Sequence, residues 1–247
     1  PFGKILRGKV VPNTVTKTLH TDKVYEPDLN SFTIEPFPYY SPLKSQIETI
    51  KSFDRPVILV DDLVHTANRL QVLVPQLRED GIPIKKVVVG VLSGYGRDLM
   101  QCLKVPVESI YSMPNLRQWF VESTLYPFIG GDTVRREEMK VAGLQPSINM
   151  ILPYATPRLS GCSREALVEF SACCIENSRD LFQVLEAEYR KMYAKNLTLS
   201  RLSEAVILPL CPDKGSCMEY DENLAASVYL ENDLETLWRM KEFLIKG

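Results

Sequence analysis

The spacing of hydrophobic residues changes period along this chain. Pro56-Val57-Ile58-Leu59-Val60 is an unbroken apolar run ending in Asp61-Asp62. It reads as a strand buried on both faces of a parallel sheet. Leu70, Leu73, Val74 and Leu77 then recur at helical spacing, which predicts a helix over about 68–80 that Gly81 ends. Val87-Val88-Val89-Gly90-Val91-Leu92 is a second buried strand. Gly94-Tyr95-Gly96 opens a helix carrying Leu99, Met100 and Leu103, and Val107-Glu108-Ser109-Ile110-Tyr111 is a third strand. This strand–helix alternation predicts an α/β fold, a doubly wound and mainly parallel sheet with right-handed crossovers.

The flanks are less regular. Val10, Val11, Val15 and Ser31-Phe32-Thr33-Ile34 read as short strands, punctuated by Pro12, Pro27, Pro36 and Pro38. Ser41 as N-cap and Pro42 at the first helical position predict a helix carrying Leu43, Ile47 and Ile50. Residues 113–135 read as an aromatic loop leading into Gly130-Gly131-Asp132, and Ile148–Leu152 as a strand. From Ser163 a long helix is expected to about Lys195, with Leu167, Phe170, Cys174, Leu181, Leu185, Tyr189 and Met192 as its buried stripe. Leu199–Leu208 and Leu234–Ile245 are shorter segments. The expected organisation is an α/β core over residues 1–156 and a mostly helical C-terminal region over 157–247, packed on that core.

Composition narrows the function. The 247 residues carry 29 basic and 31 acidic side chains, a formal net charge of −2. That balance argues against general nucleic-acid binding. No apolar run reaches the roughly 18 residues of a spanning helix, so no membrane partner is expected. There are two histidines, His20 and His65, too few for a three-His zinc site from this chain alone. The six cysteines form no C-x-x-C pair, and free thiols in a cytoplasmic protein are expected. Cys211 and Cys217, in a Pro/Asp/Gly/Ser loop, leave a zinc or disulfide pair as the alternative. The chain opens on Pro1 rather than Met, as a domain of a longer protein would.

Candidate chemistry centres on Asp61-Asp62. Ligands of open α/β sheets bind beyond the carboxyl ends of the strands. A helix N-terminus offers unpaired N–H groups and the positive end of a dipole, which suit phosphate. Two carboxylates beside it can accept hydrogen bonds from neighbouring sugar hydroxyls. These elements together read as a site for a sugar phosphate.

The segment Val57-Ile58-Leu59-Val60-Asp61-Asp62-Leu63-Val64-His65-Thr66-Ala67-Asn68-Arg69-Leu70 resembles the phosphoribosyl-pyrophosphate (PRPP) loop of type I phosphoribosyltransferases. The resemblance extends over roughly residues 55–113. It implies a phosphoribosyltransferase-like fold, with Asp61 and Asp62 as the catalytic pair on the ribose hydroxyls. His65, Thr66, Ala67, Asn68 and Arg69 would then bind the 5′-phosphate, and Mg²⁺ would arrive with pyrophosphate. It also makes a homodimer an expectation. The family's Thr-Thr-Gly-x-Thr/Ser is altered here: His65 stands at the first Thr, Ala67 at the Gly and Arg69 at the last hydroxyl position. Arg69 either supplies a charged fork for phosphate or fills the phosphate pocket.

Two further segments are candidates by composition. Pro12–Thr21 holds four Thr with Lys17 and His20, a stretch that can wrap a pyrophosphate. The plain alternative for His20 is a surface strand histidine. Gly131 and Asp132, with Asn115, Arg117 and Trp119 upstream, are placed as a lid over a base. The leading expectation is ribosyl transfer from PRPP, or a related ribose phosphate, to a base or other nucleophile. The rivals are a non-catalytic nucleotide-sensing or scaffold module on the same fold, and one domain of a larger enzyme.

Overall fold

The structure is a computed structural model and describes residues 15–28, 30–37, 40–117, 119–135, 145–157, 161–203, 206–209 and 220–246. The predictions at Val10, Val11, Pro12–Thr14, Cys211 and Cys217 lie outside the described residues. The fold is α/β. The chain divides into two compact units, one from Pro1–Lys23 with Thr33–Trp119 and one from Val24–Phe32 with Phe120–Gly247.

The strand–helix alternation builds the sheet of the first unit. Strands β3 (Val57–Val64), β4 (Ile84–Ser93) and β5 (Val107–Met113) lie in the order β3-β4-β5 and are all parallel. Helix α2 (Asn68–Glu79) joins the first two and α3 (Gly94–Cys102) the last two. Leu70 and Val74 of α2 and Met100 of α3 share one core cluster with Val87 and Val89 of β4. Burying side chains of this size contributes roughly 1.5–3 kcal/mol each. Both helices therefore cover the same face of the sheet.

On the other face Ile58 is 47 % exposed, Val60 46 % and Ile110 75 %, with Val88 half-buried among them. This corrects the expectation of strands buried on both faces. A sheet that advances β3-β4-β5 without reversing lays every right-handed crossover on one side, and only a change of direction would cover the second face. An unbroken apolar run does not reveal which neighbours exist.

Helix α1 (Leu43–Lys51) packs Leu43, Ile47 and Ile50 against Leu73 and Leu77 of α2 and Ile82. Its N-cap is Pro42 rather than Ser41, and no side chain caps it. Instead, the Gln46 side chain donates to the Ser41 carbonyl at 2.7 Å.

A second sheet has the order β2-β1-β6-β7-β8, from β1 (Thr21–Tyr25), β2 (Phe32–Pro36), β6 (Asp132–Val134), β7 (Gln145–Ile148) and β8 (Ile207–Pro209), of which Val24–Tyr25, β6, β7 and β8 lie in the second unit. Strand β1 runs parallel to β6 through Val24 and Tyr25, and β6 runs antiparallel to β7. The strand expected at 148–152 ends at Ile148; beyond it lies a turn containing a cis Leu152–Pro153 bond. Helix α4 (Arg164–Tyr193) starts at Ser163, whose hydroxyl accepts the Ala166 N–H at 3.2 Å. Its buried face is Val168, Ala172, Cys174, Ile175 and Phe182, while Leu181, Leu185 and Met192 are exposed. The expected stripe is thus rotated from the true one. Helix α6 (Ala226–Lys246) sets that phase, burying Leu230, Leu234 and Leu237 in the same cluster. Helix α5 (Leu199–Leu202) is a single turn. Among the described residues no helix is long and apolar enough to cross a membrane.

Candidate functional site

Asp61 and Asp62 lie inside a strand, not at its end. β3 continues through Leu63 and Val64, which pair with Val91 and Leu92 of β4. This corrects the expectation that the acidic pair closes the strand. β4 is long enough to supply partners, and Val64, 1 % exposed, belongs to the core. Alternation along the strand leaves Asp61 half-buried and Asp62 exposed. The Asp62 N–H donates to the Asp61 carboxylate at 3.1 Å, and the Leu63 N–H donates to the Asp62 carboxylate at 2.8 Å. Burial pushes the Asp61 carboxyl above the ordinary range, and the Asp62 charge adds to this. The hydrogen bond from Asp62 and the positive charge of Arg69 pull it partly back.

The chain then turns into α2 through His65, Thr66 and Ala67. Ala67 takes φ 52° and ψ 21°, the left-handed region, at the position where the resembled loop has Gly. No side chain caps α2. Its first turn bond runs from the Gln71 N–H to the Ala67 carbonyl at 2.8 Å. The N–H groups of Asn68, Arg69 and Leu70 lie ahead of that bond. Thr66 is exposed, and its carbonyl accepts from Gln71 Nε2 at 2.8 Å. Asn68 and Arg69 are half-buried. Arg69 Nε is buried and has no hydrogen-bond partner among the described residues.

His65 is held from the next strand. Its Nδ1 lies 2.8 Å from Ser93 Oγ, in a hydrogen bond whose direction follows the imidazole tautomer. The Ser93 hydroxyl also accepts the Gly96 N–H at 2.9 Å and so caps α3. Ser93 is 1 % exposed. Tyr95 meets the His65 ring edge-on at 6.0 Å between centroids. Gly96 allows this closeness, because a Cβ there would stand 2.3 Å from the Val64 carbonyl oxygen. Sequence reasoning missed Ser93. The signal was present, since a Ser directly before the first residues of a helix is an N-cap pattern.

The remaining candidates stand elsewhere. Lys17 is exposed in the segment before β1. His20 stacks on Tyr40 at 3.8 Å, and its backbone N–H donates to the Gln46 side chain at 2.8 Å. Asn115, Arg117 and Trp119 are exposed in the first unit. Gly131 and Asp132 belong to the second unit, where Asp132 pairs with Ile148. A Cβ on Gly131 would stand 2.7 Å from the Ser147 side chain, so close packing against β7 accounts for that glycine. The Cys174 thiol is pushed up to about 11 by burial, which suppresses its nucleophilic thiolate at neutral pH.

Among the described residues no group of three or more His, Cys, Asp or Glu is placed to hold a metal ion. A Mg²⁺ ion that keeps waters and phosphate oxygens needs only one or two carboxylates, and Asp61-Asp62 is a donor set of that kind. Compared with protein-family models, curated proteins and solved structures, the chain matches none of them.

Proposed function

We propose that the β3–α2 junction binds a ribose phosphate and that the protein is a divergent phosphoribosyltransferase-like enzyme. One observation carries the reading: the left-handed Ala67 turns the chain so that an uncapped helix begins beside a half-buried carboxylate. Phosphate would sit on the N–H groups of Asn68, Arg69 and Leu70, with the Thr66 hydroxyl and the Arg69 guanidinium as further donors. Asp61 and Asp62 would accept from the ribose hydroxyls and stabilise positive charge developing on the sugar as pyrophosphate leaves. A base or other nucleophile then takes the ribosyl group. A Mg²⁺ ion arriving with pyrophosphate would be held by Asp61 and Asp62 and would supply charge neutralisation on the leaving group. Free thiols at Cys102, Cys162, Cys173 and Cys174 fit a reducing compartment, and the cytoplasm is part of this reading.

A second reading is a ribose-phosphate sensor without turnover. The observation that favours it is Arg69, whose charge already acts on Asp61 and whose Nε is buried. Calorimetry with PRPP and Mg²⁺, followed by pyrophosphate-release assays across bases, separates the two. Heat with pyrophosphate release supports the enzyme. Heat without release across all bases supports the sensor. No heat at millimolar ligand removes both.

A further inference from the structure

Strand β5 is the terminal strand of its sheet. Ile110 is 75 % exposed, Tyr111 67 % and Met113 47 %. Successive strand residues face opposite sides, so β5 stands clear on both faces at its centre. Such edges are usually blunted by Pro, by several charges or by a bulge. Val107–Met113 contains no Pro, and its single charge, Glu108, is already paired with Lys86 at 2.7 Å. From this bare edge we infer that two copies of the chain pair antiparallel through β5 about a two-fold axis at Ile110, joining their sheets into one of six strands.

Charge favours a second copy as the occupant. In that register Ile110 faces its own counterpart, Ser109 faces Tyr111, and Glu108 faces Ser112. Ser112 is where Arg97 of α3 already sits, its Nη2 donating to the hydroxyl at 2.5 Å. Arg97 is exposed. Each Glu108, already paired with Lys86, would therefore arrive beside the partner's guanidinium, giving two equivalent clusters in which one carboxylate is shared by two cations. A strand edge alone buries little area, so the dimer is expected in the micromolar range.

Sedimentation or light scattering of the full chain across a concentration series tests this, together with Ile110→Lys and Ile110→Glu. Ile110 points to solvent, so both variants should fold, and far-UV circular dichroism checks it. The wild type should dimerise. Each variant alone should be monomeric, since like charges meet on the axis. An equimolar mixture should recover the dimer at wild-type affinity or tighter. A wild type that stays monomeric at several hundred micromolar overturns the inference. So does a dimer unmoved by both variants, or a mixture that stays monomeric. If either variant misfolds, hydrogen exchange of the wild type decides: protection of Ser109–Ser112 must rise with protein concentration, and unchanged protection overturns the pairing.

Discussion

Ser93 ties two strand ends together, and its truncation gives the sharpest test of the site's local architecture. Ser93→Ala removes two interactions at once. The cap on α3 goes with the Gly96 N–H bond, a loss of about 1 kcal/mol for a Ser N-cap. The bond to His65 Nδ1 is worth another ~1 kcal/mol as a buried hydrogen bond. The expected destabilisation of the first unit is therefore about 2 kcal/mol. His65→Ala removes the second interaction and leaves the first in place. The two substitutions should be non-additive by about 1 kcal/mol, since each deletes the same His65–Ser93 bond. Urea unfolding of both single variants and the double variant provides the assay, with Trp119 fluorescence reporting on the first unit and Trp238 on the second. A Ser93→Ala effect below about 0.5 kcal/mol, or strict additivity in the cycle, would refute the claim that this hydrogen bond fixes His65.

Three further outcomes follow from the same geometry. Gly96→Ala should cost at least about 3 kcal/mol in urea unfolding, because its Cβ meets a backbone carbonyl that cannot move aside; a loss under about 1 kcal/mol would contradict the close approach. Ala67→Val should destabilise by about 2 kcal/mol, since a branched residue resists φ 52° and the site is buried, whereas Ala67→Gly trades relief of strain against a lost methyl and should stay within about 1 kcal/mol. Asp61→Asn should stabilise the fold at neutral pH. The raised folded-state pKa means the folded chain binds the proton more tightly than the unfolded chain, so charging Asp61 above that pKa costs stability. The gain should fade as pH falls through the folded value towards the ordinary Asp range, and a gain unchanged down to pH 3 would contradict this sign.

The sequence made the β-α-β-α-β order of the first unit legible, because Val57–Val60, Val87–Leu92 and Val107–Tyr111 alternate with helical stripes. Ser163 as N-cap and Gly81 as terminator were equally plain, and Gly81 takes φ 74°. What stayed hidden depends on partners distant in the chain. The strand end could not be read from Asp61-Asp62, since pairing with Val91 and Leu92 carries β3 further. The buried face of α4 could not be read either: Leu167/Phe170/Leu181 and Val168/Ala172/Ile175 both satisfy a 3.6-residue period, and packing with α6 chooses between them. For the candidate site, sequence named the loop 65–69 as contiguous residues. It did not show that Ser93 holds His65, or that Ala67 keeps the left-handed turn of a glycine.

The central claim is that the first turn of α2 is an anion cradle for a ribose phosphate. Backbone amide shifts during titration with PRPP and Mg²⁺ test it most directly. The account predicts saturable shifts that are largest at Ala67, Asn68, Arg69 and Leu70. Unmoved amides at millimolar ligand, or shifts centred on another part of the chain, would contradict it.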